Sequence, residues 1–306
     1  MAERFLIALD LENLQDGLDV KTVSYLSRVH ITVVPQTYQK TVEFLQEHLQ
    51  NFVFYCDCTA LVNLEDIISL LNSGVIKIFV AYRHLKAIVE ERLLVGQDVS
   101  RLVVSSDHVV SGSDSEGNAE SIQDKIKALV PDVPVGIHFH DVHHPGLLDA
   151  MHRSSANGNS PDRYVTLALS TRDQFIKAVN DGHVAIIPAR DLTTNPERYS
   201  NLLPAHLLLT AVLRSDRSDG LFPTVVTDER GICLGLVYSN ATSIETALNL
   251  GCGAYHSRRR GLWVKGQESG NTQELIRIAV DCDADALQFI VRQKGEGKLS
   301  SVPLRL

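Results

Sequence analysis

The chain has 306 residues, 44% of them hydrophobic and 22% charged, with a formal net charge of −8. This length and composition suit a globular protein with a sizeable core, built as one large domain or two ordinary ones. The acidic balance argues against broad binding to nucleic acid or to an anionic membrane surface, and no apolar run approaches the ~20 residues of a membrane helix. Met1-Ala2-Glu3-Arg4-Phe5 has neither a basic leader nor a small-residue cleavage site, and the 5 cysteines are scattered. A cytoplasmic, reducing setting without a disulfide framework is therefore expected.

Taken in chain order, strand-like apolar runs stand at Phe5–Leu9, His30–Val34, Phe52–Cys56, Val75–Ala81, Arg101–Ser105, Val133–Phe139, Tyr164–Leu169 and His183–Pro188. Amphipathic stretches lie between several of them. Asn63 can cap a helix with Leu64, Ile67, Ile68 and Leu71 inward, closed by Gly74. Thr171 opens another with Phe175, Ile176 and Val179 inward, closed by Gly182. Strand–helix alternation of this kind predicts an α/β domain over residues 1–195, with parallel strands and crossover helices. Eight candidates fit either a barrel or an open doubly wound sheet, and periodicity does not choose between them. The polar stretches Ser111–Asn118 and Ser154–Pro161 read as loops. His138-Phe139-His140-Asp141-Val142-His143-His144 follows a strand, and His138 and His140 can share a face and hold a metal. The competing reading is a solvated loop. Cys56-Asp57-Cys58 lacks C-x-x-C spacing and reads as small strand residues.

Near Asn195 the texture changes. A helical stretch over Pro196–Leu213, interrupted at Pro204, leads to the turn-rich Arg214–Gly220. Strands are then expected at Thr224–Thr227 and Cys233–Tyr238 around the loop Asp228–Gly231. A helix follows at Ser243–Leu250, then strands near Ala254–Ser257, Leu262–Lys265, Glu274–Val280 and Ala286–Arg292. Residues 205–297 thus form a smaller, mainly antiparallel α+β domain.

Two stretches there carry chemistry. In Asp281-Cys282-Asp283-Ala284-Asp285, an extended backbone would set Asp281, Asp283 and Asp285 on one face and Cys282 on the other. Three such carboxylates repel unless a hard cation, Mg²⁺ or Ca²⁺, or protons neutralise them, whereas a thiolate suits zinc. The spacing also opens an EF-hand loop, but Ala286 and Arg292 stand where that loop needs Gly and Glu. A solvated acidic turn with an inert cysteine is the plain alternative. In Tyr255–Gln273, Arg258, Arg259, Arg260 and Lys265 make a local anion site within an acidic chain, and Trp263 can stack on a purine. The glycine-broken segment Gly266–Thr272 offers N–H groups and hydroxyls to a phosphate or ribose. Here the alternative is a basic hairpin edge.

Four pieces resemble the phosphoribosyl-AMP cyclohydrolase family in order and spacing: Ser257-Arg258-Arg259-Arg260, Leu262-Trp263-Val264-Lys265-Gly266, Ser269-Gly270-Asn271-Thr272-Gln273 and Asp281-Cys282-Asp283-Ala284-Asp285-Ala286. Arg217–Pro223 and Leu234–Ser239 match its opening, so the likeness runs from about Leu213 to Gly297. The preceding region resembles the corresponding part of the fungal multifunctional histidine-biosynthesis protein.

The resemblance implies a zinc hydrolase that opens the purine N1–C6 bond of phosphoribosyl-AMP, working as a homodimer that shares zinc. It implies Cys282 as a zinc ligand and Asp281, Asp283 and Asp285 as Mg²⁺ ligands. Ser257, Arg258, Arg260, Trp263, Lys265, Ser269, Gly270, Asn271 and Thr272 fall to the nucleotide. Past Gly295 the family continues with Cys-His and then a Ser-Cys pair, where this chain reads Gly297-Lys298-Leu299-Ser300-Ser301-Val302-Pro303-Leu304-Arg305-Leu306. Residues 298–306 therefore read as an aberrant tail and the zinc ligand set as incomplete. The alternative to the enzyme is accordingly a fragment that binds nucleotide and Mg²⁺ with little turnover.

Overall fold

The computed structural model describes residues 4–12, 18–94, 96–106, 118–139, 162–167 and 171–295. The chain divides into two compact units, one built mainly of residues 3–192 and the other mainly of residues 193–306. Among the described residues no helix is long and apolar enough to cross a membrane.

The first unit is a closed barrel of eight parallel strands in sequence order. They are β1 (Phe5–Leu9), β2 (Arg28–Thr32), β3 (Val53–Asp57), β4 (Lys77–Ala81), β5 (Leu102–Ser105), β6 (Gly136–Phe139), β7 (Arg163–Thr166) and β8 (Val184–Pro188). The strands are short and apolar because both faces are buried, one by the barrel's own filling and one by the surrounding helices. Leu6, Tyr55, Phe79, Val103, Tyr164, Val184 and Ile186 make one buried cluster that includes side chains of six of the strands. The ladder between Leu6 of β1 and Ile186 of β8 closes the cylinder and decides between barrel and open sheet.

The connecting helices form where capping and amphipathicity agree. In the helix Leu64–Asn72 the Asn63 carboxamide oxygen accepts from the Glu65 N–H at 3.0 Å, and Ile67, Leu70 and Leu71 are the buried residues. Leu64 and Ile68 are only half-buried, so the apolar stripe is rotated by one position from the expected face. In the helix Arg172–Asn180 the Thr171 hydroxyl accepts from the Gln174 N–H, and Phe175, Ala178 and Val179 go inward.

The second unit departs from expectation at its start. Helix over Pro196–Leu213 does not form; only His206–Thr210 is α-helical. Asn195 instead wraps its side chain onto the Arg198 N–H at 3.1 Å, and Thr193 accepts the Ala205 N–H at 2.7 Å, so these local bonds replace the helical ladder up to the proline break. Six strands follow: β9 (Phe222–Thr227), β10 (Cys233–Ser239), β11 (Ala254–Ser257), β12 (Gly261–Val264), β13 (Gln273–Val280) and β14 (Leu287–Gln293). Their sheet order is β12-β11-β10-β9-β14-β13, antiparallel except where β9 runs parallel to β14. The helix Ala241–Leu250 starts in a reciprocal capping box between Asn240 and Ser243 and ends on Gly251 at φ 65°. Its buried Ile244, Ala247 and Leu248, with Tyr255, Leu275, Ile278 and Phe289 of the sheet, supply the core of this unit.

Candidate functional site

The acidic stretch is a turn rather than a strand. It joins β13 to β14, and one oxygen of Asp281 accepts the N–H groups of Asp285 and Ala286, both at 3.1 Å. Ala284 takes a positive φ of 67°, which folds the loop back on itself. Strict alternation of side chains is thereby lost, yet the three carboxylates still converge: ligand oxygens of Asp281, Asp283 and Asp285 all lie within 4.8 Å of one another. Cys282 is not on an opposite buried face. It is exposed, with its sulfur 3.9 Å from an Asp283 carboxylate oxygen.

Electrostatics divide the triplet. Burial works to raise Asp281, but the Ala286 N–H, hydrogen bonds from the Asp285 and Asp283 side chains, and the Asp285 N–H together outweigh it and hold that carboxyl below its ordinary range. Asp285, bonded to the Asp281 carboxyl and close to Asp283, is pushed above the ordinary range. Like charges gathered this closely repel unless a proton or a cation neutralises them.

The second component is a pocket of about 310 Å³ lined by Val237, Tyr238, His256, Ser257, Arg258, Arg259, Arg260 and Trp263. The strand register builds it: Tyr238 of β10 pairs with His256 of β11, which pairs with Leu262 of β12. Ser257 accepts the N–H groups of Arg259 and Arg260 and so shapes the basic hairpin turn. The Tyr238 ring carries the Arg217 guanidinium at 4.6 Å and that of Arg258 at 5.1 Å. Arg217 is itself held by both oxygens of Asp219, at 2.9 and 2.7 Å, and this bond brings the exposed Asp219 carboxyl down to about 2. Arg260 and Lys265 lie 5.9 and 5.3 Å from the centre of the Trp263 ring. The pocket and the triplet share no residue, but the segment Arg214–Asp219 touches both: the Arg214 N–H donates to Ala284 at 2.8 Å, and Arg217 reaches Tyr238.

Of the nucleotide candidates, Ser257, Arg258, Arg260 and Trp263 line the pocket, and Lys265 stands over its tryptophan wall. Ser269, Gly270, Asn271 and Thr272 are not among the lining residues. They form a compact turn in which the Gly270 N–H donates to Gly266 and the Lys294 N–H to Thr272. Gly266 has a φ of 83°, and a side chain there would strike the backbone of Asn271 and Thr272. Sequence reasoning places Arg259 in the local anion site but gives no role to Tyr238, His256, Arg217 or Val237. Tyr238 and Arg217 lay inside family-like runs, but the strand register that makes them neighbours of the basic turn is not written in either run.

Cys233 pairs with Thr227 and Cys252 bridges to Glu274, so neither sits in the acidic turn. Among the described residues, the Asp triplet is the one cluster of three or more potential metal ligands. In the first unit His138 is fully buried, with Nε2 2.8 Å from the Thr166 hydroxyl and its ring packed edge-on to Phe79. That placement is inside the barrel. His140, His143, His144, most of the loop Ser111–Asn118, all of Ser154–Pro161 and residues 298–306 lie outside the described residues. Cys56 and Cys58 are buried, and burial pushes both thiols up, as suits packing residues.

Comparison with known proteins gives the second unit a family. The model of the phosphoribosyl-AMP cyclohydrolase family matches residues 235–298. The chain is 36% identical over 297 residues to the histidine biosynthesis trifunctional protein of Neurospora crassa, covering 93% of this chain and 30% of that one. It is 30% identical over 294 residues to the histidine biosynthesis bifunctional protein of Schizosaccharomyces pombe, covering 94% of this chain and 67% of that one. Over 89 residues it is 45% identical to the phosphoribosyl-AMP cyclohydrolase of Chloroherpeton thalassium. The chain thus spans less than a third of the first of these relatives and about two thirds of the second.

Proposed function

Because the chain belongs to the family of fungal histidine-biosynthesis proteins that carry a phosphoribosyl-AMP cyclohydrolase domain, we propose that its C-terminal unit binds phosphoribosyl-AMP and serves hydrolytic opening of the purine N1–C6 bond. The carrying observation is the convergence of Asp281, Asp283 and Asp285 beside the exposed Cys282 thiol. The triplet's oxygen-only donor set fits Mg²⁺, which when bound would neutralise the carboxylates and attract phosphate oxygens. The arginine-lined pocket orients the nucleotide: Arg258 and Arg260 present forked donors to phosphate, and Ser257 holds the turn that aims them. Ser269, Gly270, Asn271 and Thr272 are proposed as contacts to the same substrate.

Zinc stands differently. Cys282 is its proposed ligand by family likeness, but among the described residues that sulfur belongs to no cluster of three or more potential ligands. The described residues do not make up a zinc site, and no step is routed through one. This favours a second reading, a unit that binds nucleotide and Mg²⁺ with little turnover. Zinc content and substrate consumption by the full chain separate the two. About one zinc per chain with consumption supports the hydrolase. No zinc and no consumption, with nucleotide binding retained, supports the second reading.

A homodimer is proposed as well. Val225 and Leu236, partners across β9 and β10, are 37% and 68% exposed, and Ile232 is 53% exposed. Val225 and Leu236 share one face of the sheet, an apolar surface that a second copy would cover. Leu236→Asp should shift the protein to monomer in analytical ultracentrifugation; an unchanged mass would discount this face.

A further inference from the structure

We propose that His256 is a substrate-positioning residue whose Nε2–H donates to a phosphate oxygen of the bound nucleotide, its proton placed there by Asn240. This rests on the reading of the arginine-lined pocket as the nucleotide site.

The helix Ala241–Leu250 follows β10. Asn240 is its N-cap, and the side-chain oxygen accepts the Ser243 N–H at 2.9 Å, while the Ser243 hydroxyl receives the Asn240 N–H at 2.9 Å. This reciprocal pair fixes which end of the carboxamide is oxygen. The remaining end, the NH₂, lies 3.1 Å from Nδ1 of His256. A donor facing Nδ1 requires a lone pair there, so the neutral imidazole carries its proton on Nε2. His256 lines the pocket, half-buried on β11 between its register partners Tyr238 and Leu262.

The chemistry of the lining selects the ligand group. Arg258, Arg259 and Arg260 are donors only. The Ser257 oxygen already accepts two backbone N–H groups, which leaves its own proton to give. With His256 also donating, these polar lining groups converge on an acceptor-only partner, and a phosphate monoester is such a group. The arginines supply charge and forked donors, and the imidazole adds one directional bond from a ring held in place by Asn240.

The test uses the full chain and calorimetric titration with adenosine monophosphate. His256→Phe should weaken binding about tenfold, the worth of one hydrogen bond to a charged group, whereas His256→Gln, which keeps an N–H donor, should stay within about threefold. Asn240→Ser keeps the helix cap but loses the amide donor, and nitrogen-15 NMR of the imidazole should show the proton leaving its fixed place on Nε2. The inference is overturned if Gln is as damaging as Phe, if wild-type His256 carries its proton on Nδ1, or if His256→Phe binds normally while Arg258→Ala does not. If neither the arginine nor the histidine variants change the affinity, the nucleotide reading of the pocket fails and takes the inference with it.

Discussion

The barrel buries the side chains that define it, Tyr55, Phe79 and Tyr164 among them, whereas the C-terminal unit leaves Arg258, Arg260 and Cys282 exposed. In the barrel, the sequence announces its strands, because each is largely buried on both faces and reads as a mostly apolar run. Its interior is filled by Tyr55, Phe79, Val103 and Tyr164. In the C-terminal unit, Ser257–Arg260 and Asp281–Asp285 announce chemistry, but their neighbours depend on a strand order that periodicity does not reveal. The difference teaches that apolar patterning reports burial, whereas motif spacing reports what a loop can hold; neither reports which strands lie side by side.

This contrast can be broken experimentally, most severely in the barrel. Phe79 is fully buried, with ring centroids of His30, Tyr164 and His138 at 4.9, 5.0 and 5.1 Å. Phe79→Ala should cost about 3–5 kcal/mol in denaturant unfolding of that unit while leaving nucleotide affinity unchanged. A large loss of affinity would show that the units do not divide stability from binding as described.

A smaller effect is expected at Gly266. Its φ of 83° and the close approach of Asn271 and Thr272 leave no room for a methyl group. Gly266→Ala should destabilise the C-terminal unit by about 2 kcal/mol or more, read by thermal unfolding. A neutral result would mean that the Ser269–Thr272 turn adapts, and would weaken its proposed role as a fixed phosphate contact.

The smallest effect sharpens the electrostatic side. Asp219 titrates at about 2 in the folded chain because Arg217 holds it. A depressed carboxylate stabilises the fold above its unfolded pKa of about 3.9, and that contribution is lost as pH falls through about 2. Asp219→Asn should therefore narrow the stability difference between pH 6 and pH 2 slightly, and the Arg217–Tyr238 stack should loosen with it. Parallel unfolding curves against pH for the two proteins would show that the pair contributes nothing measurable, as exposed ion pairs often do.

How much could be read in advance follows from where each interaction lies along the chain. The eight strand runs needed only local apolarity, and Asn63 and Thr171 announced their helices because a cap acts within three residues. Closure of the barrel needed Phe5–Leu9 to meet Val184–Pro188, a pairing no local pattern encodes. The helix expected over Pro196–Leu213 failed because Asn195 and Thr193 satisfy backbone groups in competition with it. In the acidic stretch the residue types were legible and the backbone was not. Asp281 spends an oxygen on its own turn, so the carboxylates meet by wrapping rather than by alternation. His256 stayed silent because its meaning depends on Asn240, sixteen residues away.

The proposed cation seat is the cluster of Asp281, Asp283 and Asp285. Titrating Mg²⁺ into the full chain and into the triple Asp→Asn variant tests it most directly. Saturable uptake at a single site in the wild type, weakened at least tenfold in a variant that folds as stably, is the predicted result. Equal uptake by both proteins, or none by the wild type, would contradict it.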